Sequence, residues 1–283
     1  MVNKDGNEVK VKRRYYGNLD YQFGDLRIPD NEGPHPVAVV IHGGFWRSAF
    51  GLDNVADLAK SLAKHGMATW SIEYRRVGQV GGGWPGTLMD AAQAVDYLTE
   101  LAKNNNLDLN RVVTIGHSAG GHLALWLAAR HSLPEDSVLK TMGAPLALQG
   151  AISLAGVADL SLMWEVHGIS EETSGNKNNP VRELLGGSPV EVPERYAQAS
   201  PIQLLPLGVP QVLIHGALDI NVPIGISQSY KNVADSMDED VKLVEIPSAE
   251  HFKLIDPKSD AWQVVLEETL TLLKGERKNG MKN

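Results

Sequence analysis

Short apolar runs recur along the chain, each closing on glycine or a polar cluster: "VAVVIHGG" (37–44), "MATWSIEYR" (67–75), "RVVTIGHS" (111–118), "GAISLAG" (150–156), "PQVLIHGALD" (210–219) and "VKLVEIPSAEH" (241–251). Runs of this length with little polar alternation suit strands buried on both faces. Between them the period lengthens. "NVADLAKSLAKHG" ends in Lys64, His65 and Gly66, cations followed by glycine at a helix C-terminus. "TLMDAAQAVDYLTELAKNN" (87–105) repeats apolar residues at Leu88, Ala91, Ala92, Val95, Leu98 and Ala102, one face of a single helix. The stretch after Ser118, residues 222–237 and residues 259–274 predict three more helices.

Strand–helix alternation over this length predicts a mostly parallel sheet, eight-stranded, with helices on both faces. "YYGNLDYQFGDLRIP" (15–29) alternates and turns, which places an antiparallel hairpin at the sheet edge. Residues 157–189 break the pattern: an apolar start, a Gly/Asn-rich middle and a short helical piece predict a small cap-like excursion over the top of the sheet, the alternative being a plain surface loop. No linker divides the chain, so residues 1–283 read as one α/β domain, with 274–283 as a loose tail.

Composition narrows the chemistry. Net charge is −8 and no basic run interleaves with aromatics, which argues against nucleic-acid binding. The chain has no cysteine, which removes disulfides, thiolate metal sites and cysteine nucleophiles. "MVNKDGNEVKVKRR" lacks a following apolar segment, and the longest apolar run, "LALWLAA", is too short for a bilayer. The expectation is a cytoplasmic protein with no membrane partner, acting on a small molecule. A homodimer is left open.

In open parallel sheets, ligands bind beyond the carboxyl ends of the strands. At one such end lies Gly116-His117-Ser118-Ala119-Gly120, a G-x-S-x-G pattern with a strand before it and a helix after it. With 28 glycines in the chain the bare motif is weak evidence, and the strand–turn–helix context gives it weight. A serine hydroxyl needs a base. Of nine histidines, His65 reads as a helix cap, and His35, His131 and His167 fall in loops or at a helix end. His122 lies one turn past the serine, and His42 and His215 brace the loops that follow their strands. His251, in "SAEHFKLIDP" after the last strand, is placed to fold over Ser118. Asp219, one strand earlier, would orient it, with Glu250 and Asp256 as rivals. The order Ser118, Asp219, His251 is that of α/β-hydrolases. "HGGFW" (42–46) follows the first long parallel strand. The backbone N–H groups of Gly44 and Phe45, with that of Ala119, form the expected oxyanion hole, Gly43 allowing the turn.

"HGGFW", "WPGT", "GHSAGGH", "HGALDINVP" and "AEHFKLIDP" together resemble the bacterial α/β-hydrolases of the kynurenine formamidase (arylformamidase) and esterase/lipase type, over residues 15 to 273. The resemblance implies a serine hydrolase of carboxylic esters or aryl formamides, with no cofactor or metal. Ser118 would be the nucleophile, Asp219 the orienting acid, His251 the base, and Gly44, Phe45 and Ala119 the oxyanion donors. Trp46, Trp84 and Trp164 are the expected lining of an aryl-sized pocket. The alternatives are a broad carboxylesterase without formamidase activity, a peptidase-like hydrolase, and a non-catalytic binding member of the fold. The last should have lost a triad residue, and here all three are present.

Overall fold

A computed structural model of the chain describes residues 10–175 and 177–275. Its strands are β1 (Val11–Tyr15), β2 (Phe23–Arg27), β3 (His35–Ile41), β4 (Ala68–Ile72), β5 (Leu107–His117), β6 (Gly150–Leu154), β7 (Gln211–Gly216) and β8 (Val241–Ile246). They form one sheet in the order β1-β2-β4-β3-β5-β6-β7-β8. The β1–β2 and β2–β4 pairs are antiparallel and every later pair is parallel. The helices are α1 (Ala56–Lys64), α2 (Gly86–Asp96), α3 (Leu98–Ala102), α4 (Ala119–Ala129), α5 (Leu160–Ser174), α6 (Pro180–Leu185), α7 (Pro193–Ala199), α8 (Gly225–Ser236) and α9 (Trp262–Lys274).

Side chains of a strand alternate between faces, and β3 shows both faces dry. Val37, Val39 and Ile41 join a core built with α2, α4 and α8, while Ala38 and Val40 join a second core under α1 and α9. Helix α4 lies at the centre with all eleven residues buried, so it has no polar stripe. This α/β-hydrolase architecture brings the ends of β3, β5, β7 and β8 to one edge of the sheet.

Four expectations need correction. The stretch 87–105 is two helices, because the first ends at Tyr97 before α3 begins. The excursion carries a 15-residue helix, α5, rather than only a short helical piece. Asp159 caps it by accepting from the N–H groups of Ser161 and Leu162, and Gly175 ends it in the left-handed conformation. Strand β8 is not buried on both faces: it is last in the sheet order and half of its residues are only partly covered. Of the expected tail, Lys274 and Gly275 close α9, and 276–283 lie outside the described residues.

Among the described residues, no helix is long and apolar enough to cross a membrane.

Candidate active site

Ser118 stands between β5 and α4 with φ 57° and ψ −120°, a conformation that costs a non-glycine residue energy and persists only where the surroundings enforce it. They do so here. Its N–H donates to Leu154 O at 2.9 Å, and its own carbonyl accepts from the N–H of His122, opening the helix. A Cβ on Gly120 would come within 2.2 Å of the carbonyl oxygen of Ile41 in β3, so the elbow fits against its neighbouring strand only with glycine there.

The turn after β3 faces the elbow. Gly44, Phe45 and Trp46 all have positive φ (108°, 54° and 56°), so the reversal starts at Gly44 and not at Gly43. Gly43 is needed for a different reason. A Cβ on it would sit 2.7 Å from His117 O and 2.9 Å from the Ser118 Cβ. Among the described hydrogen bonds, none is donated by the N–H of Gly44, Phe45 or Ala119. Beneath the turn, His42 and Glu73 form a buried pair. His42 Nε2 is 2.8 Å from Glu73 Oε1, and its Nδ1 donates to Gly43 O at 2.7 Å. Glu73 also accepts from the N–H groups of Leu52 and Tyr74 and lies 3.3 Å from Arg76 Nε. Burial would raise its pKa, but the bond from His42 and the positive charges of His42 and Arg76 hold it below the usual carboxylate range.

On the opposite side, Asp219 follows β7 with its side chain fully enclosed. Its Oδ2 is 2.5 Å from His251 Nδ1, and Oδ1 accepts from the N–H groups of Asn221 and Val222 at 2.8 and 2.9 Å. His215 Nε2 lies 3.4 Å from the same carboxylate. Burial pushes the Asp219 pKa up, but the hydrogen bonds from His215, His251 and Val222 outweigh it and hold the group well below the ordinary range. The rivals serve elsewhere: Glu250 caps the turn at Phe252, and Asp256 accepts from the N–H of Lys258.

Ser118 and His251 line one cavity of about 180 Å³ together with Gly43, Gly44, Phe45, Phe50, Phe252, Asn221 and Ile255. The described hydrogen bonds do not include one between the serine hydroxyl and the imidazole. Three of the chain's four phenylalanines line this space, and none of the three expected tryptophans does. Trp46 is buried in the core with its Nε1–H directed to His122 Nδ1. Trp84 donates its backbone N–H to Leu184 O, which ties it to α6. Trp164 lies on α5 beneath the guanidinium of Arg182. Size and loop position are what single out the tryptophans in the sequence. Phe50 carries no motif of its own, and the signal for Phe252 is its place next to His251.

His42 and His215 brace loops, as their positions at strand ends predicted; His215 does so through Ser227 Oγ and Val222 O. No sequence feature assigns a role to His117, whose Nε2 lies 3.0 Å from His251 O. Among the described residues, no group of three or more His, Asp or Glu side chains is arranged to hold a metal ion.

Comparison with known proteins places this geometry in context. The family model described as BD-FAE matches residues 25–233. The chain is 26% identical over 254 residues to Esterase LipC of Mycobacterium tuberculosis, covering 88% of this chain and 61% of that protein. It is 26% identical over 271 residues to a probable isoprenylcysteine alpha-carbonyl methylesterase, ICME, of Oryza sativa, covering 91% and 62%. The chain thus spans about three fifths of the length of these curated relatives. Among solved structures, a truncated carbohydrate esterase from gut microbiota superposes with a TM-score of 0.79 at 20% identity, covering 96% of this chain and 99% of that one. An inhibited Esterase B of Lactobacillus rhamnosis gives 0.79 at 22%, covering 97% and 88%. At that identity the likeness concerns the fold, which is that of the α/β-hydrolases.

Proposed function

This chain belongs to the BD-FAE family, and from that premise we propose that it is a serine hydrolase of carboxylic esters working through an acyl-enzyme on Ser118. The observation that carries the reading is the enclosed Asp219–His251 pair, which shares one cavity with a serine held in a strained elbow. The names of the relatives, an esterase and a methylesterase, support ester over amide.

In this mechanism His251 Nε2 takes the proton of Ser118 as its oxygen attacks the acyl carbonyl. Asp219 holds Nδ1–H, which fixes the tautomer and stabilises the imidazolium that forms. The N–H groups of Gly44, Phe45 and Ala119 receive the oxyanion. The imidazolium then protonates the leaving alcohol, and water repeats the cycle to free the acid. Catalytic hydrogen bonds in free enzymes are often long and tighten only when substrate binds, which accounts for the absence of a Ser118–His251 bond among the described ones. The small apolar cavity suits a short acyl or aryl group.

Paired kinetics on a p-nitrophenyl acetate and on N-formylkynurenine test the reading. The expected result is turnover of the acetate, with the formamide much slower, and loss of both in S118A. A faster formamide would move the assignment to the arylformamidase branch of the earlier resemblance. An alanine variant with undiminished turnover would falsify the mechanism.

A further inference from the structure

The mechanism above gives no part to His117, the residue immediately before Ser118, yet few side chains are placed more deliberately. It is 3% exposed, and its ring centroid lies 4.4 Å from that of His251 with the planes tilted by 49°. Its Nε2 is 3.0 Å from the backbone oxygen of His251. A carbonyl only accepts, so Nε2 carries the hydrogen and Nδ1 is bare. The bond therefore runs from the serine elbow to the main chain of the residue proposed as base.

His251 needs such a tie. It opens a short 3-10 turn, His251–Ile255, reached from the edge strand β8. The bond to Asp219 fixes the imidazole, and the Leu218 N–H bond to Ala249 O, 3.0 Å, ties the chain two residues earlier. Shifts of the His251 main chain itself are opposed by the bond from His117. Proton transfer is sensitive to such shifts, and a misplacement of about 1 Å can cost roughly 100-fold in rate.

Resting on the reading above, we propose that His117 is a positioning residue for the base: its Nε2–H···O=C bond fastens the His251 turn to the elbow and keeps the imidazole at a fixed distance from the serine hydroxyl. The groups acting on His117 are His251, Asp219 and His215. Burial first, and then the charge of His251, push its pKa down to about 3, against the opposing pull of Asp219. A neutral ring suits the task, because a second cation 4.4 Å away would oppose the imidazolium that His251 must form.

Three variants separate positioning from packing. His117→Phe keeps a ring and removes the donor. His117→Gln places an amide N–H at similar reach, and His117→Asn carries the same group too short. The expected result is a kcat lower by roughly 10- to 100-fold in His117→Phe and His117→Asn, with KM within about twofold, and recovery in His117→Gln. A proton NMR readout is independent of turnover: the low-field Nδ1–H resonance of His251 should persist in His117→Gln and broaden or move in the other two. If His117→Phe does not fold, the Gln–Asn pair decides. Equal kcat in Gln and Asn, or wild-type kcat and resonance in His117→Phe, would overturn the positioning role. Undiminished turnover in S118A would instead overturn the mechanism on which it rests.

Discussion

The turns 42–50 and 247–256 reach Ser118 from opposite sides of the cavity, and they are secured by different means. The first leaves β3, which lies between β4 and β5. It is braced from below by charge: Glu73 meets His42 and Arg76, Arg76 reaches the carbonyl of Phe50, and Tyr74 Oη donates to His42 O. The second leaves the edge strand β8, and it is held by Asp219 on the His251 side chain, by His117 on the His251 backbone, and by the N–H of Leu218 on the carbonyl of Ala249. On the side of the proposed oxyanion donors, support and proposed chemistry fall to separate residues. On the side of the proposed base, Asp219 both serves the chemistry and anchors the turn, and His117 holds the same residue by its backbone. Damage should therefore show as lost stability on one side and as lost turnover on the other.

Asp219→Asn should produce the largest effect, and a kinetic one. Its Oδ1 can still accept from Asn221 and Val222, so the turn survives, while its amide opposes the Nδ1–H of His251 and favours the wrong tautomer. Steady-state kinetics should show kcat down by roughly 10⁴-fold, with urea unfolding little changed. Glu73→Gln should do the reverse. It leaves buried His42 and Arg76 uncompensated, which typically costs about 3–5 kcal/mol, read as a lower urea midpoint. Its effect on kcat should be the smaller of the two. If both variants lose turnover equally and unfold alike, the two sides are not built differently.

The sequence made the contrast partly visible. Six strands, the elbow, Asp219 and His251 could be read because each ends an apolar run at the same edge of the sheet. Phe50 could not, because nothing in its neighbours marks it as lining a cavity, whereas Phe252 adjoins His251 and that position is its one signal. The full length of helix α5 is hidden for a related reason: only Leu160 and Met163 of its 15 residues are buried, so no apolar period betrays it. The partial exposure of β8 is hidden too, because "VKLVEI" looks like the inner strands. Edge position is set by the order in which strands pair, not by their composition. Glu73 closes its own strand run, but the pairing with His42 exists only once β4 lies beside β3.

Acid probes both sides at once. His122 accepts from Trp46 Nε1 and donates to Ala199 O, and burial pushes its pKa down to about 4. His117 is pushed down to about 3 on the same ground. An unfolded histidine titrates near 6.5, so between pH 6.5 and about 4 the unfolded chain takes up protons that the native rings refuse. Stability therefore falls as pH drops through that window, by on the order of 3 kcal/mol for His122 over its full width. Urea midpoints measured from pH 7 to 5, before the buried carboxylates contribute, should decline steadily. A flat profile would mean that the native rings are charged, and the neutral tie on the base side would be lost.

The smallest effect belongs to the pair that joins the oxyanion-side turn to α6. Arg47 grips Glu183 with two bonds of 2.7 and 2.8 Å and also reaches Asn178. The two side chains are 27% and 39% exposed, so solvent screens most of their attraction. A double-mutant cycle of Arg47→Ala and Glu183→Gln should give a coupling of about 0.5–1 kcal/mol, shrinking as salt rises, with kcat within about twofold of wild type. Arg47 is one residue from Trp46, the last of three with positive φ, so it would be the natural anchor if the turn were held from above. A kcat loss in Arg47→Ala as large as that in Glu73→Gln would show that the excursion, and not the buried carboxylate below, sets the shape of the oxyanion turn.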